Sequence, residues 1–303
     1  MKKSITVAGG ATLTIVAGTT LYFANDAGID IYGTLLCEGT ASENVVLRGD
    51  RIDNMFDYLP YDRVAGQWQG LHFYESSANN HLTFTDIHST YNGIIVDKPA
   101  NEGQHLTCEQ VTIHNCQGYG LISHGATIDI VNTQITNTLN DCLLIDGGSA
   151  VIMASTLAQF YPFDGNRGAA LRFTNENDEL SQLLCDNSLI TGYAEDVVMG
   201  NRADNGKAFN YHFSNCLLRT EEPAESEQIN FVGCTFENLE AEEQGGQYNF
   251  ALFDTKNLEY DFSLAENSQA IGLANSATMP AIDRKGNSRD KNPDVGAYEY
   301  VKE

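Results

Sequence analysis

The feature that most constrains the fold of this chain is a repeat of 22 residues near its middle. Residues 106–115 align with residues 128–137, so that apolar residues fall on apolar residues. The same offset aligns Leu121 with Leu143, Ile122 with Leu144, and His124 with Asp146. A period near 20 residues, with apolar residues two apart, indicates short strands in coils that stack on one another. One coil has no face that it can bury alone, so its neighbours must complete the core.

An apolar position recurs in successive coils beyond this block, at spacings of 24, 22, 23, 32, 28 and 18 residues. The residues at this position are Phe84, Cys108, Ile130, Met153, Cys185, Phe213 and Phe231. A turn residue, commonly Asn or Asp, lies two residues later, and a mostly apolar position lies five residues later. Asn and Asp bend a chain because their side chains bond their own backbone or tolerate left-handed angles. Each coil is therefore predicted to hold strands separated by a bend, with Asn side chains able to hydrogen-bond along the stack.

This pattern resembles the right-handed parallel β-helix family, the architecture of pectin lyases and many bacterial surface proteins. The resemblance implies an all-β, pectin-lyase-like solenoid over residues 1–256. We predict that residues 257–303 form a capping segment, because the last coil of a solenoid exposes apolar core and strand edges. A fold does not by itself identify a function.

The C-terminal region carries a second resemblance. It contains DRKGNSR at 283–289, followed by DVGAYE at 294–299. This resembles the last segment of bacterial surface β-helix proteins, in which D-x-x-G-x-x-R leads to D-(I/V)-G-A-Y-E. The resemblance implies an exported protein of a Bacteroidetes-like Gram-negative bacterium, extracellular or at the cell surface. Residues 4–24 lack the continuous apolar stretch of a signal peptide, so we expect a mature domain or a fragment.

The net charge of −24, from 17 basic and 41 acidic residues, restricts the partners of this chain. It excludes nucleic acid and anionic membranes, and it disfavours acidic polysaccharides unless cations bridge the like charges. No apolar run is long enough to predict a transmembrane helix. Eight Glu and one Arg fall within residues 219–243. They are interpreted as a solvated face or, alternatively, as a calcium-binding surface, because carboxylate oxygens suit calcium. No other metal or cofactor is predicted.

The chain has seven cysteines, an odd number. Most fall in apolar strands and are interpreted as small core residues. A disulfide between Cys216 and Cys234 is the alternative, because adjacent strands lie only ~4.8 Å apart. No Cys-x-x-Cys pair is present, so a zinc site of that kind is not predicted.

Two loops interrupt the repeat and are candidates for ligand binding. The first, residues 50–66, carries Tyr58 and Tyr61 and is followed by Trp68, the only tryptophan. These aromatic side chains are interpreted either as platforms for sugar rings or as groups that pack on the sheet beneath. The second loop, residues 161–168, contributes Tyr161, Asp164 and Arg167, with Arg172 nearby. Loops from neighbouring coils project from the same side and can form the walls of a groove.

One strand in each coil is apolar on both faces, as in Ile94-Ile95-Val96 and Leu143-Leu144-Ile145. A half-exposed strand should alternate instead. We therefore predict that the outer face of these strands is covered by a loop, a ligand or a second subunit.

Two groups of residues are candidates for catalysis. Asn140-Asp141-Cys142 is similar to the Asp-Asp-Cys segment of polygalacturonase-type hydrolases, although the first Asp is missing. Asp196 is a possible partner of Asp141, two coils and ~10 Å away. Asp97, His124 and Asp146 occupy one position on three successive coils. They are interpreted either as a tuned general base or as residues that open turns.

Three functional hypotheses remain open from the sequence. The first is a non-catalytic surface protein that binds a polysaccharide or a cell-surface glycan in loop-walled grooves. The second is a polysaccharide lyase or a glycoside hydrolase; the lyase would need a base and a cation beside a uronate, for which Arg167 and Arg172 are the candidates, and the hydrolase would need a pair of carboxylates. The third is a structural spacer. The missing second carboxylate favours the first and third hypotheses over the second.

Overall fold

A computed structural model describes residues 1–239 and 245–302 of the chain. It is an all-β, right-handed parallel β-helix of about eight turns, as the sequence predicts. Each complete coil contributes one strand to each of three parallel sheets, here called A, B and C. Within the described residues, no helix combines the length and the apolar character needed to cross a bilayer.

The strands of sheet A, in order along the stack, are β1 (Ile5–Val7), β4 (Ile29–Ile31), β9 (Leu71–Phe73), β12 (Ile94–Val96), β15 (Leu121–His124), β18 (Leu143–Asp146), β21 (Leu171–Thr174) and β24 (Val198–Asn201). Those of sheet B are β2 (Thr12–Val16), β5 (Thr34–Glu38), β10 (Asn80–Thr83), β13 (Leu106–Glu109), β16 (Thr127–Val131), β19 (Gly148–Met153), β22 (Leu180–Asp186), β25 (Phe209–Ser214) and β27 (Phe231–Val232). Those of sheet C are β3 (Thr20–Phe23), β6 (Val45–Gly49), β11 (Thr85–His88), β14 (Thr112–Cys116), β17 (Gln134–Thr138), β20 (Thr156–Gln159), β23 (Leu189–Gly192), β26 (Leu217–Leu218) and β28 (Thr235–Phe236). Two further short strands, β7 (Asn54–Phe56) and β8 (Leu59–Pro60), pair antiparallel within the loop of residues 50–66.

The register of sheet B confirms most of the predicted apolar column and corrects two of its members. The residues that pair in succession are Leu82, Cys108, Ile130, Ile152, Cys185, Phe213 and Phe231. The prediction was wrong at Phe84, which lies in the bend after β10 with a φ of +40°. It was also wrong at Met153, which is one residue past the buried Ile152. Because side chains alternate along a strand, a slip of one residue moves an apolar side chain to the opposite face.

The bend between sheets B and C has a left-handed backbone in most coils, which explains the Asn residues there. The φ angles are +47° at Asn132, +52° at Asn187 and +51° at Asn215. Their amides do not form the predicted ladder with one another. Asn132 Nδ2 donates instead to the carbonyl oxygen of Ile282 at 2.9 Å, and Asn187 Nδ2 donates to Thr278 Oγ1 at 2.9 Å. These corner amides therefore hold the C-terminal segment.

Hydroxyl groups form the ladder that links neighbouring coils at this corner. The backbone N–H of Val111 donates to Thr133 Oγ1 at 3.3 Å, and that of Thr133 donates to Ser155 Oγ at 3.1 Å. The N–H of Ser155 then donates to Ser188 Oγ at 3.1 Å. Each hydroxyl satisfies a buried backbone donor that the strand ladders leave unpaired at the turn.

The C-terminal segment lies along the outer face of sheet C. It begins with an antiparallel hairpin, β29 (Phe250–Asp254) and β30 (Glu259–Leu264), so the predicted division at residues 256 and 257 falls in the turn of this hairpin. Farther on, Arg284 Nη2 donates to Asn44 Oδ1 at 2.9 Å, Tyr298 Oη donates to Gln134 Oε1 at 2.6 Å, and the N–H of Gly296 donates to the carbonyl oxygen of Asn187 at 2.9 Å. These contacts run along the side of the stack, whereas the capping role expected from the sequence places the segment at its end.

The two C-terminal motifs hold this segment in shape. Asp283 Oδ1 accepts the backbone N–H groups of Lys285 and Asn287 at 2.8 and 2.7 Å, and its Oδ2 accepts that of Glu299 at 3.1 Å. Arg289 donates to Glu299 Oε2 at 3.3 Å and to Asn132 Oδ1 at 3.0 Å. The acidic and basic residues of the motifs therefore close the segment on itself and tie it to a corner of the β-helix.

The outward side chains of sheet C change from polar to apolar along the stack. One column reads Asp86, Thr112, Gln134, Thr156, Leu189 and Leu217. Leu189 and Leu217 belong to a second hydrophobic cluster with Phe250, Val295 and Ala297 of the C-terminal segment. The segment therefore packs closely on the later coils and leaves a polar hollow over the earlier ones.

All seven cysteines are free thiols. The alternative interpretation, a disulfide between Cys216 and Cys234, is therefore not supported. The Sγ of Cys216 lies 3.7 Å from that of Cys185 and donates to the carbonyl oxygen of Ser214 at 3.2 Å. Six of the seven are buried, so the interpretation as small core residues is confirmed for those six.

Candidate functional site

The candidate site is a cleft of about 460 Å³ over the polar half of sheet C. Its floor consists of outward side chains of β14 and β17, among them His114 and Thr136. One wall comes from the loop of residues 50–66, and the other comes from the hairpin of β29 and β30. This volume lies in the range of ~300–1,000 Å³ that is usual for small-molecule sites.

Arg63 joins the two walls. Its Nη1 donates to the carbonyl oxygen of Asn257 at 2.7 Å, and its Nη2 contacts Glu259 Oε1 at 2.5 Å. Asn257 and Glu259 belong to the hairpin, while Arg63 ends the short 3-10 turn Tyr61–Arg63 of the loop. The guanidinium therefore fixes the loop against the hairpin at the edge of the cleft.

Two polar atoms of the cleft lining are buried without a hydrogen-bond partner among the described residues. One is the amide oxygen of Asn137, whose side chain follows the floor strand β17. The other is the hydroxyl of Tyr260 in the hairpin wall. Buried polar groups in native proteins nearly always have partners. Two residues that line the cleft therefore each hold a buried polar atom that no described residue satisfies.

A chain of alternating charges lies at the end of the cleft next to the loop. Arg48 Nη2 is 2.7 Å from Asp62 Oδ1, which is 2.8 Å from His88 Nε2. His88 Nδ1 is 2.9 Å from Asp86 Oδ1, and the same oxygen is 3.4 Å from His114 Nε2. Neighbouring strands of sheet C supply Arg48, His88 and His114 in one outward column, whereas Asp62 reaches down from the loop.

The carboxylates on both sides of His88 control its charge. Burial disfavours the imidazolium, but Asp86 and Asp62 outweigh burial and raise the pKa of His88 to about 9. The hydrogen bond from His88 lowers the pKa of Asp62 in return. Burial raises the pKa of Asp86, but His88 and His114 overcome this effect and hold that pKa well below its usual value.

The predicted carboxylate pair of Asp141 and Asp196 lies elsewhere, beside sheet A. Asp141 is buried, and its two oxygens accept the N–H of Ala169 at 2.7 Å and Arg172 Nε at 2.9 Å. Asp196 is exposed and accepts hydrogen bonds from the N–H of Val198 at 3.2 Å and from Thr220 Oγ1 at 2.8 Å. Each carboxylate is thus held by its own local partners, and no contact joins the two.

The predicted column of Asp97, His124 and Asp146 is present in the register of sheet A but is divided among different partners. His124 Nδ1 lies 3.2 Å from Asp146 Oδ2, which also accepts Asn177 Nδ2 at 2.7 Å. Asp97 instead contacts His72 Nε2 at 3.0 Å. The structure therefore brings two of the three residues together.

The aromatic residues around the first loop have three different environments. Trp68 has 0% of its surface exposed, stacks on Phe23 with ring centroids 4.4 Å apart, and donates from Nε1 to the carbonyl oxygen of His88 at 2.8 Å. Of the two interpretations of Trp68, the structure supports packing, because the buried ring lies where the loop rejoins the coil and is not exposed as a platform for a sugar ring. Tyr61 lies under Arg51, whose Cζ is 3.8 Å from the ring centroid, and Tyr58 is exposed beside Phe56.

The second loop lies near the first, as the groove hypothesis requires. Tyr161 is buried and lines a small hollow together with Arg63 and with Tyr260 of the hairpin. Arg167 Nε donates to the carbonyl oxygen of Tyr161 at 2.8 Å, and its guanidinium lies over Tyr193. The exposed carboxylate of Asp164 accepts the N–H of Asn166 at 2.8 Å and so closes the turn. Arg172 belongs to the pair with Asp141 described above.

The outer face of sheet A is only partly covered. Ile122 is 9% exposed, while Ile95 and Leu144 are half-buried. An oligomer formed through this face remains a prediction. Residues 240–243 of the acidic run 219–243 lie outside the described residues. Its described part includes Glu237, which pairs with Arg219.

Sequence reasoning missed the most polar part of the site. The shared position of His88 and His114 could have been found, because they fall on one column when the coils are aligned through Leu82 instead of Phe84. The approach of Asp62 and of the hairpin could not, because neither belongs to the repeat. No protein-family model matches this chain, and no match was found among curated proteins.

Proposed function

We propose that this protein binds a glycan in the cleft over sheet C, without catalysis, as an exported or cell-surface protein. The observation that carries this proposal is the pair of unpartnered polar atoms, Asn137 Oδ1 and the Tyr260 hydroxyl, in one cleft. Sugar hydroxyl groups both donate and accept hydrogen bonds, so a sugar suits both an amide oxygen and a phenol hydroxyl. The proposal of export rests on the resemblance of residues 283–299 to bacterial surface β-helix proteins.

The charge of the cleft favours a neutral or amino sugar over a uronate. Asp62, Glu259 and Asp261 all line the cleft, and Arg63 is already paired with Glu259. The whole chain carries a net charge of −24, which repels an anionic polymer before it reaches the site.

The apolar part of the lining suits the face of a sugar ring. Leu252 is 46% exposed, and the ring of Tyr260 lies on the same wall. Aromatic and aliphatic side chains with a few placed polar groups are the usual composition of a small-molecule site. The wall therefore supplies contact area, and the floor supplies hydrogen bonds.

The test is binding of neutral gluco-, manno-, galacto- and xylo-oligosaccharides, chito-oligosaccharides and polygalacturonate, measured by calorimetry with and without calcium. Asn137→Gly removes the amide but keeps a residue that tolerates the φ of +54°. Asn79→Gly is the matched control, because Asn79 has a φ of +56° and is exposed outside the cleft. We expect Asn137→Gly and Tyr260→Phe each to weaken binding about tenfold, the effect of one lost hydrogen bond. Asn79→Gly should bind like the wild type.

The proposal fails if no member of the panel binds, or if Asn137→Gly and Asn79→Gly bind equally. The same incubations are scored for new reducing or unsaturated ends. Their appearance would contradict the non-catalytic part of the proposal and favour a hydrolase or lyase. If Asp141→Asn then abolished the release of these products, the activity would be assigned to Asp141 beside sheet A and not to the cleft over sheet C.

A further inference from the structure

We propose that Asp86, His88 and His114 bind a divalent transition-metal ion of the zinc type, with one coordination position open to the cleft. The proposal is independent of glycan binding, because it concerns the ion alone.

The three side chains are placed on one face by the register of sheet C. Asp86 and His88 are two residues apart on β11, so both point outward, and His114 pairs with His88 on the next coil. One potential ligand atom from each residue lies within 4.8 Å of the other two. Two of these separations, 2.9 and 3.4 Å, both measured from Asp86 Oδ1, are close to the distance between ligand atoms around a tetrahedral zinc ion with bonds of ~2.0–2.1 Å.

The surroundings of His88 match those of a metal-bound histidine. A metal-ligating imidazole usually donates its other ring N–H to a carboxylate, which fixes the tautomer and orients the ring. His88 Nε2 lies 2.8 Å from Asp62 Oδ1, and Arg48 holds the same oxygen at 2.7 Å. Nδ1 is then free to face the ion, which replaces the proton shared with Asp86. Asp62 is thus a positioning residue for the site.

The ligand set selects the class of ion. Two imidazoles and one carboxylate suit Zn²⁺ and the neighbouring transition metals, whereas Ca²⁺ and Mg²⁺ prefer sites made of oxygen atoms. Three protein ligands are also the number that leaves a fourth position for water or another ligand. Of the three proposed ligands, His114 lines the cleft, so we place the fourth position on the side of His114.

The test uses the untagged full chain, freed of metal by a chelator and titrated with Zn²⁺ by calorimetry and with Co²⁺ by visible absorption. We expect one ion per chain and the absorption of a tetrahedral Co²⁺ site. His114→Gln and Asp86→Asn should abolish both signals. The matched control is His81→Gln, because His81 is also a surface histidine beside a carboxylate, 3.4 Å from Glu109, but lacks a third ligand. It should bind metal like the wild type.

The Asp62→Asn variant distinguishes a metal site from a set of surface ion pairs that binds no metal. Loss of an outer carboxylate should weaken Zn²⁺ binding about 10- to 100-fold and leave the stoichiometry at one. The proposal is overturned if the wild type binds no stoichiometric ion, or if His114→Gln binds as tightly as His81→Gln. Circular dichroism of each variant shows whether it has folded. Because His114 and Asp86 are half-buried, their variants keep the test usable even if a His88 variant unfolds.

Discussion

The outer faces of sheets A and C differ in what lies on them. On sheet A, the outward side chains Ile95 and Leu144 are apolar and remain half-exposed. On sheet C, outward Leu189 and Leu217 are buried under the C-terminal segment, and polar Gln134 bonds to it through Tyr298. The apolar runs in the sequence predict that the outer face of sheet A is covered, yet the C-terminal segment covers the outer face of sheet C.

This difference shows what an apolar run on a strand means in a parallel stack. Outward Ile and Leu side chains on adjacent strands partly bury one another, because the strands lie only ~4.8 Å apart. A cover made by the chain itself needs hydrogen-bond partners for its irregular backbone. Those partners are the corner amides and hydroxyls of sheet C, such as Asn187 and Thr156, and not the apolar run on sheet A.

The largest expected contrast between the two faces is that between their ion pairs. Arg219 and Glu237, outward on sheet C, lie 2.9 Å apart with side chains that are 2% and 0% exposed. Arg219→Met leaves Glu237 buried without its cation and should lower the free energy of unfolding by about 3–5 kcal/mol. Arg172→Met on sheet A should cost less, about 1–3 kcal/mol, because the Arg172 side chain is 27% exposed and Asp141, although only 6% exposed, keeps the N–H of Ala169.

Urea denaturation of both variants against the wild type measures this contrast. A cost for Arg172→Met equal to that for Arg219→Met would mean that sheet A is covered as fully as sheet C. In the double variant Arg219→Met/Glu237→Leu, the buried charge is removed altogether, so much of the lost stability should return.

The second contrast compares one substitution on the two faces. Leu189 is 0% exposed beneath the C-terminal segment, so Leu189→Ala leaves a cavity and should cost about 2–5 kcal/mol. Leu144 points outward on sheet A and is only half-buried, so Leu144→Ala should cost less than half as much. Thermal and urea unfolding of both proteins test the difference. Equal costs would indicate a partner on sheet A, and sedimentation of the wild type would then detect the oligomer.

The regular coils could be predicted from the sequence because several independent features of the sequence indicate the same register there. Between residues 106 and 138, apolar alternation, the left-handed Asn132 and the constant offset all point to one register, and the pairing of Leu106 with Ile128 confirms it. The register failed where an apolar residue occupies the bend. Phe84 has the φ of a turn residue but the side chain of a core residue.

The candidate site could be predicted only in part, for a different reason. The repeat determines which residues share a column, so the neighbouring positions of His88 and His114 can be predicted from the sequence. The opposite side of the cleft comes from Asp62 and from the hairpin, and their positions depend on contacts such as that of Arg63 with Glu259, 196 residues away. No local pattern encodes such a contact, because it joins two segments outside the repeat.

The smallest contrast tests a single hydroxyl on each face. Tyr298 is buried on sheet C, and its hydroxyl donates to Gln134 Oε1 at 2.6 Å. Tyr298→Phe leaves that buried amide oxygen without its donor and should cost about 1–2 kcal/mol. The hydroxyl of Tyr74 donates to Asp30 beside sheet A at 3.2 Å, where solvent can replace it, so Tyr74→Phe should cost a few tenths of a kcal/mol. Both changes keep the ring, so unfolding measurements isolate the hydrogen bond. If the two costs are equal, the C-terminal segment protects sheet C no better than solvent-facing loops protect sheet A, and the distinction between the two faces loses its energetic basis.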